Sequence, residues 1–348
     1  MYTLGARSLF SNPYLGNKMV LKSEWEKTDS HTHLKDETIQ AMVAQALPST
    51  VLLSYQVISG GCANLNIKLS LRDYISPLLL RVYFRDQTSA YIEQEIFNLI
   101  HADIPIPKIH LIKHYENYCY GISEFKDGIP LRDLILNYPA EDIKPVMYET
   151  GTLLAKFQNY CFPQAGFFDK DLAIKQVLYQ DNYVTYAQEC LEHPTTKQQL
   201  DIETLYKIRA IFEEYKTFFP SNQQSCLVHG DYDPANILVN KSNSIWKVSA
   251  ILDWEFAFAG SWLCDVSLML RYAHKLPKVF EQSFLQGLDE AGLSLPNDWD
   301  ITVNLLNLVS LLYCLVQCPP TKRPNQCADL CQLITRLTNC LSYSNLSL

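Results

Sequence analysis

No block of Lys or Arg occurs anywhere in the 348 residues, and the formal net charge is -8. A nucleic-acid binder neutralises phosphates with a basic face, so that class is excluded as a partner. No Cys-x-x-Cys pair occurs among the 11 cysteines, and no His completes a zinc pattern beside Cys314, Cys318, Cys327 or Cys331. The cysteines are expected to be reduced, small apolar residues of a cytoplasmic protein. Residues 1–18 lack an apolar stretch of signal-peptide length, because Ser11, Asn12 and Pro13 interrupt it. There is no internal repeat and no low-complexity segment. Charged residues make up only 19% against 48% hydrophobic, which excludes disorder for most of the chain. One uncharged run, 301–318, raises the question of a membrane. It contains Asn304, Asn307, Ser310 and Gln317, so a buried helix and no membrane span is expected.

The length is enough for two domains, or one with two lobes. Residues 1–35 show no periodicity and are expected to form an arm. Asp36 can cap a helix carrying Ile39, Met42, Val43 and Ala46 on one face, and Pro48 ends it. Residues 51–58, 65–71 and 78–84 read as strands, the second through alternation of Leu65, Ile67, Leu69 and Leu71. A helix over 88–101 is broken by Pro105 and Pro107, and strands follow at 108–113 and 118–125. The 36–126 segment therefore predicts a small five-stranded antiparallel lobe. After a linker at Lys126-Asp127-Gly128 the pattern turns to long helices, giving a mainly helical lobe over 127–348 and an α+β fold. One island in it, 226–253, predicts a hairpin of 237–239 with 248–252.

The densest polar cluster, His229-Gly230-Asp231-Tyr232-Asp233-Pro234-Ala235-Asn236, lies between two apolar runs at the foot of this hairpin. The hairpin returns Asp253 toward it. Two carboxylates and an amide oxygen are hard oxygen donors and suit Mg²⁺, which also takes substrate phosphates as ligands. Phosphoryl transfer needs such an ion together with a separate carboxylate beside the attacking hydroxyl. Asp231 precedes Asn236 by five positions, as in the kinase catalytic loop H-R-D-x-x-x-x-N, with Gly230 in place of the Arg.

His229-Gly230-Asp231 with Asn236, followed by Ile251-Leu252-Asp253-Trp254-Glu255, resembles the aminoglycoside phosphotransferase and choline-kinase-like group of small-molecule kinases. Upstream, 58–64 resembles its phosphate loop, Arg81 sits at its nucleotide-phosphate cation, and Glu95 to Leu99 resembles its Glu-x-x-x-Leu helix. The resemblance implies a two-lobed protein-kinase-like fold and the transfer of the γ-phosphate of ATP or GTP, with Mg²⁺, to a hydroxyl of a small molecule. It implies that Asp231 is the catalytic base and that Asn236 and Asp253 hold the metal. Ser59, Gly60, Gly61 and Asn64 would cover the phosphates, and Arg81 would contact them, positioned by an ion pair with Glu95. Glu124 begins the segment expected to pass the purine edge. Asp265 is expected to brace the catalytic loop and His229 to orient it through backbone bonds. The alternative is a pseudokinase that senses nucleotide or binds a partner without turnover. A protein kinase is disfavoured by Gly230 and by Asp253-Trp254-Glu255 in place of Asp-Phe-Gly. Nothing in the sequence indicates the acceptor or the oligomeric state.

Overall fold

The structure, a computed structural model, describes residues 21–26, 34–58 and 64–343. In the small lobe, α1 (Asp36–Ala46) precedes the strands β1 (Leu52–Ile58), β2 (Leu65–Leu71) and β3 (Leu78–Tyr83). Helix α2 (Thr88–Ile100) and the hairpin β4 (Ile109–Tyr115) and β5 (Tyr118–Glu124) complete it. The five strands are antiparallel in the order β1-β2-β3-β5-β4. Alternation decides which face is buried. Leu65, Ile67, Leu69 and Leu71 of β2 and Leu78, Leu80 and Val82 of β3 pack with Ile39, Met42, Val43 and Ala46 of α1 into one apolar cluster.

The helical lobe begins with β6 (Ile129–Pro130), α3 (Leu131–Asn137) and α4 (Ala140–Lys156). Next come β7 (Gly166–Phe168), β8 (Ile174–Val177) and the helices α5 (Gln180–Glu192), α6 (Pro194–Gln199) and α7 (Ile202–Glu214). The hairpin β10 (Ile237–Ser242) and β11 (Ile245–Ile251) is the one expected from sequence, and it is flanked by two strands not expected, β9 (Cys226–Val228) and β12 (Phe258–Gly260), which pair with each other. Helices α8 (Leu263–Met269), α9 (Lys278–Glu290), α10 (Trp299–Val316) and α11 (Pro324–Tyr343) close the chain. Two glycines let α4 and α9 touch backbone to backbone. A Cβ on Gly151 would lie 2.1 Å from the Phe284 carbonyl oxygen, and one on Gly287 would lie 2.0 Å from that of Tyr148. Helix α10 is long and apolar enough to cross a membrane, yet Leu305, Leu308, Leu311, Leu312 and Leu315 are buried within this lobe.

The two cores do not divide at the linker. Ile92, Ile96 and Ile100 of α2 belong to the core of the helical lobe, so this helix of the small lobe is held by the larger one. Residues 21–26 of the expected arm also lie on the helical lobe, where Leu21 is fully buried. The expectation of thiols throughout is corrected at one place: Cys161 and Cys226 form a disulfide across an isolated antiparallel bridge. Their separation of 65 residues leaves no local spacing signature. Cys119, Cys190, Cys264, Cys314, Cys318, Cys327 and Cys331 remain thiols.

Candidate active site

The hairpin register builds the site. Ile237 pairs with Ile251, and the Leu252 N–H donates to the Asn236 carbonyl at 2.8 Å. Asn236 therefore sits at the head of β10 directly opposite the residue before Asp253. Asp253 has φ 67, a left-handed conformation that Asp tolerates better than most side chains, and it turns the chain out of β11.

The loop between β9 and β10 is braced from below. Asp265, at the start of α8, is fully buried and its carboxylate accepts from the backbone N–H groups of His229 (2.8 Å) and Gly230 (3.0 Å). Burial pushes its pKa up to about 7, against the pull of these two donors. The Asp231 N–H donates to His229 Nδ1 at 3.2 Å, so Nε2 carries the ring proton and donates to the Leu252 carbonyl at 2.9 Å. His229 thereby ties Asp231 to the strand that delivers Asp253. Its ring lies on Trp254, 4.4 Å between centroids, and burial holds its pKa below the usual value.

Gly230 has φ +78, and a Cβ there would lie 2.2 Å from the Phe256 carbonyl oxygen. Both facts demand glycine where the protein-kinase loop has Arg. Gly230→Ala is expected to cost at least about 2 kcal/mol in chemical denaturation. It should also abolish turnover, because relief of the clash moves Asp231.

Asp231 and Asn236 meet directly: Asn236 Nδ2 donates to Asp231 Oδ2 at 2.7 Å and to the Asp231 carbonyl at 3.0 Å. With the amide nitrogen so used, Asn236 Oδ1 remains as the acceptor end. The third expected residue arrives with a partner. Arg81 on β3 crosses from the small lobe, and its Nη2 donates to Asp253 Oδ1 at 2.5 Å. The same nitrogen lies 3.4 Å from Glu93 and 3.7 Å from Glu255. Burial works against the Arg81 charge, but Asp253, Glu93 and Glu255 outweigh it and raise its pKa.

The expected partner Glu95 is thus replaced by Glu93. Two positions along an α-helix rotate a side chain by about 200°, so the two glutamates cannot share a face. Glu93 lies on the buried stripe of Ser89, Ile92, Ile96 and Ile100, whereas Glu95 among the described residues accepts from the exposed Asn98. Leu99, the other end of the supposed motif, is 40% exposed. The helical period held the signal, since Glu93 is the acid in phase with the apolar stripe. Burial pushes Glu93 up to about 7 while Arg81 and a 2.6 Å bond from the Tyr83 hydroxyl pull it down.

Asn64 is found bridging the lobes: its Nδ2 donates to Glu255 Oε2 at 2.7 Å and its Oδ1 accepts from the Phe84 N–H at 3.3 Å. Ser59, Gly60 and Gly61 lie outside the described residues. Glu124 stands at the lobe junction, where its carboxylate accepts from Lys126 Nζ (2.7 Å) and the Lys108 N–H (3.2 Å). One residue no motif indicated is Lys22, whose Nζ lies 3.0 Å from Asp233 Oδ2 and 3.6 Å from Asp231 Oδ1.

The donor set fits Mg²⁺. Asn236 has a free amide oxygen, and Asp253 keeps a second carboxylate oxygen beyond the one that Arg81 holds. No group of three His, Cys, Asp or Glu suited to a metal occurs among the described residues. Such an all-protein cage is not what Mg²⁺ uses when phosphates and water complete its shell.

A five-stranded lobe joined to a helical one, with a catalytic-type loop and a metal-type carboxylate between them, defines the protein-kinase-like fold. Residues 54–301 match the family model described as the phosphotransferase enzyme family. The chain belongs to this family and is a small-molecule kinase. Among solved structures it is similar to aminoglycoside phosphotransferase APH(4)-Ia, at 16% identity and TM-score 0.68 over 88% of this chain and 99% of that one. It is also similar to a GDP complex of a variant of aminoglycoside 2'-phosphotransferase-IIIa, at 15% identity and TM-score 0.70 over 89% and 100%. A GDP and kanamycin complex of APH(2")-IIia follows at 16% identity and TM-score 0.66, over 86% and 98%. A search of the curated proteins finds no match.

Proposed function

We propose that the chain moves the γ-phosphate of ATP or GTP to a hydroxyl of a small molecule, with Mg²⁺ held by Asn236 and Asp253. The observation that carries this reading is the direct bond from Asn236 to Asp231 within a loop whose neighbour, Asp253, is reached from the small lobe by Arg81. Relatives of the same fold are described in complexes with AMP-PNP and hygromycin B and with GDP and kanamycin.

In this reading Asp231 orients the acceptor hydroxyl and takes its proton as the oxygen attacks phosphorus, a contribution of about 10²–10⁴-fold. Asn236 fixes the Asp231 carboxylate through Oδ2, which leaves Oδ1, near Lys22, to take the acceptor proton. Arg81 exchanges its grip on Asp253 for the nucleotide phosphates, while Glu93 and Glu255 keep the guanidinium in place. The loop of Ser59, Gly60, Gly61 and Asn64 covers the phosphates, and the chain from Glu124 passes the purine edge. Bound Mg²⁺ supplies charge neutralisation at the phosphate oxygens.

Incubation with ATP and with GTP across a panel of hydroxyl compounds, read by product mass, tests the proposal. A phosphorylated acceptor supports it. Tight nucleotide binding with no product from any acceptor and no hydrolysis gives the pseudokinase instead. Asp253→Ala is expected to raise the Mg²⁺ concentration needed for half-maximal rate by about tenfold or more. An unchanged metal titration refutes the ligand assignment.

A further inference from the structure

Lys22 belongs to a segment remote in sequence from the catalytic loop, yet it ends in that loop's carboxylates. The segment is built into the helical lobe. Leu21 is fully buried in the core, and the indole N–H of Trp25 donates to Asp329 Oδ2 at 2.9 Å. The Glu26 carboxylate accepts from the N–H groups of Asn325 (2.7 Å) and Gln326 (3.1 Å) at the start of α11. These anchors hold Lys22 over the Trp25 ring, with its Nζ 3.0 Å from Asp233 and 3.6 Å from Asp231. Its side chain is 17% exposed, that of Asp233 is 2% and that of Asp231 is 28%. Burial opposes the ammonium charge, but the two carboxylates outweigh this and raise its pKa.

A second cation stands behind the first. Arg271 is 4% exposed, and its Nε and Nη2 donate to Asn307 Oδ1 (2.8 Å) and Ser310 Oγ (2.9 Å) of α10. Among the described residues it pairs with no carboxylate within 4 Å, and its charge opposes that of Lys22. The two carboxylates at this end of the cleft thus already share one ammonium, with a second positive charge nearby. An ammonium brought by an acceptor finds its place taken and meets like charge there, which costs affinity.

We infer that Lys22 is a specificity-determining residue: it fills, from within the chain, the cation place beside Asp231 and Asp233, and so selects hydroxyl acceptors that carry no ammonium next to the reacting hydroxyl. This rests on the reading of Asp231 as the acceptor-facing base. The acceptor class is then a neutral or anionic hydroxyl compound rather than an amino sugar or amino alcohol.

The test uses the full chain with Mg²⁺ and AMP-PNP and two probes that share one skeleton, kanamycin and fully N-acetylated kanamycin, titrated calorimetrically. Lys22→Met is expected to tighten kanamycin binding by about tenfold or more and to change binding of the acetylated probe by less than about threefold. Lys22→Arg should behave as the parent chain. Lys22→Gln, which keeps a donor for Asp233 without the charge, should repeat the gain and serves if the Met variant does not fold. Kanamycin binding that is equally tight with and without Lys22, or absent in every variant, overturns the inference. An equal gain for both probes also overturns it, since that is the signature of a steric plug. The underlying reading is judged separately, by whether Asp231→Ala abolishes phosphoryl transfer to water or acceptor.

Discussion

Asp231→Ala is expected to lower turnover by at least about 10² while nucleotide affinity stays nearly unchanged. The asymmetry follows from where the carboxylate stands. Its Oδ2 is held by Asn236 and its Oδ1 lies 3.6 Å from the ammonium of Lys22. The groups assigned to the nucleotide, Arg81 with Glu93 and Glu255, are joined by a separate set of ion pairs. The loop itself does not depend on the Asp231 side chain. Asn236 Nδ2 keeps its bond to the Asp231 carbonyl, Asp265 keeps its two backbone donors, and Lys22 keeps Asp233. Melting temperature should therefore change little, which separates lost chemistry from lost fold. Steady-state rates beside a nucleotide-binding titration check this. Full activity in the variant removes Asp231 from the mechanism.

The second large effect contrasts two glutamates on one helix. Glu93→Ala is expected to destabilise the protein by about 3 kcal/mol and to raise the KM for nucleotide by about tenfold or more. Glu93 is buried, accepts from the Tyr83 hydroxyl at 2.6 Å, and lies 3.4 Å from Arg81. Its removal strands that hydroxyl and leaves Arg81 to collapse onto Asp253 and Glu255. The cost falls at the low end for a broken buried pair because those two carboxylates remain. Glu95→Ala, two residues on, should stay within about 0.5 kcal/mol, since among the described residues its carboxylate accepts from exposed Asn98 at 3.5 Å. Denaturant melts and nucleotide KM values for the pair decide it. Equal effects at both positions would refute the helix-phase argument.

These two predictions draw on different sources. Asn236 and Asp253 were legible in the chain because they flank the paired ends of one hairpin, and Asp231 because it stands five positions before Asn236, which bonds it. The alternation of β2 and β3 likewise revealed the small lobe, because period-2 burial is a local property. Glu93 was half legible. The apolar stripe of α2 carries its phase, but a motif match two residues out of register pointed to Glu95.

Other features had no local trace. The disulfide of Cys161 with Cys226 joins residues that spacing does not relate. Lys22 sits in a stretch without periodicity, and its place is fixed by Leu21 buried in the core and by Trp25 and Glu26 bonded to α11. The sequence by itself therefore determined the lobes, the strand-flanked loop and its acids, since each rests on neighbours in the chain. Which acid holds Arg81, and which cation faces Asp231, was decided only by tertiary structure. Charges pair through space, and their partners are set by packing between elements that the sequence lists far apart.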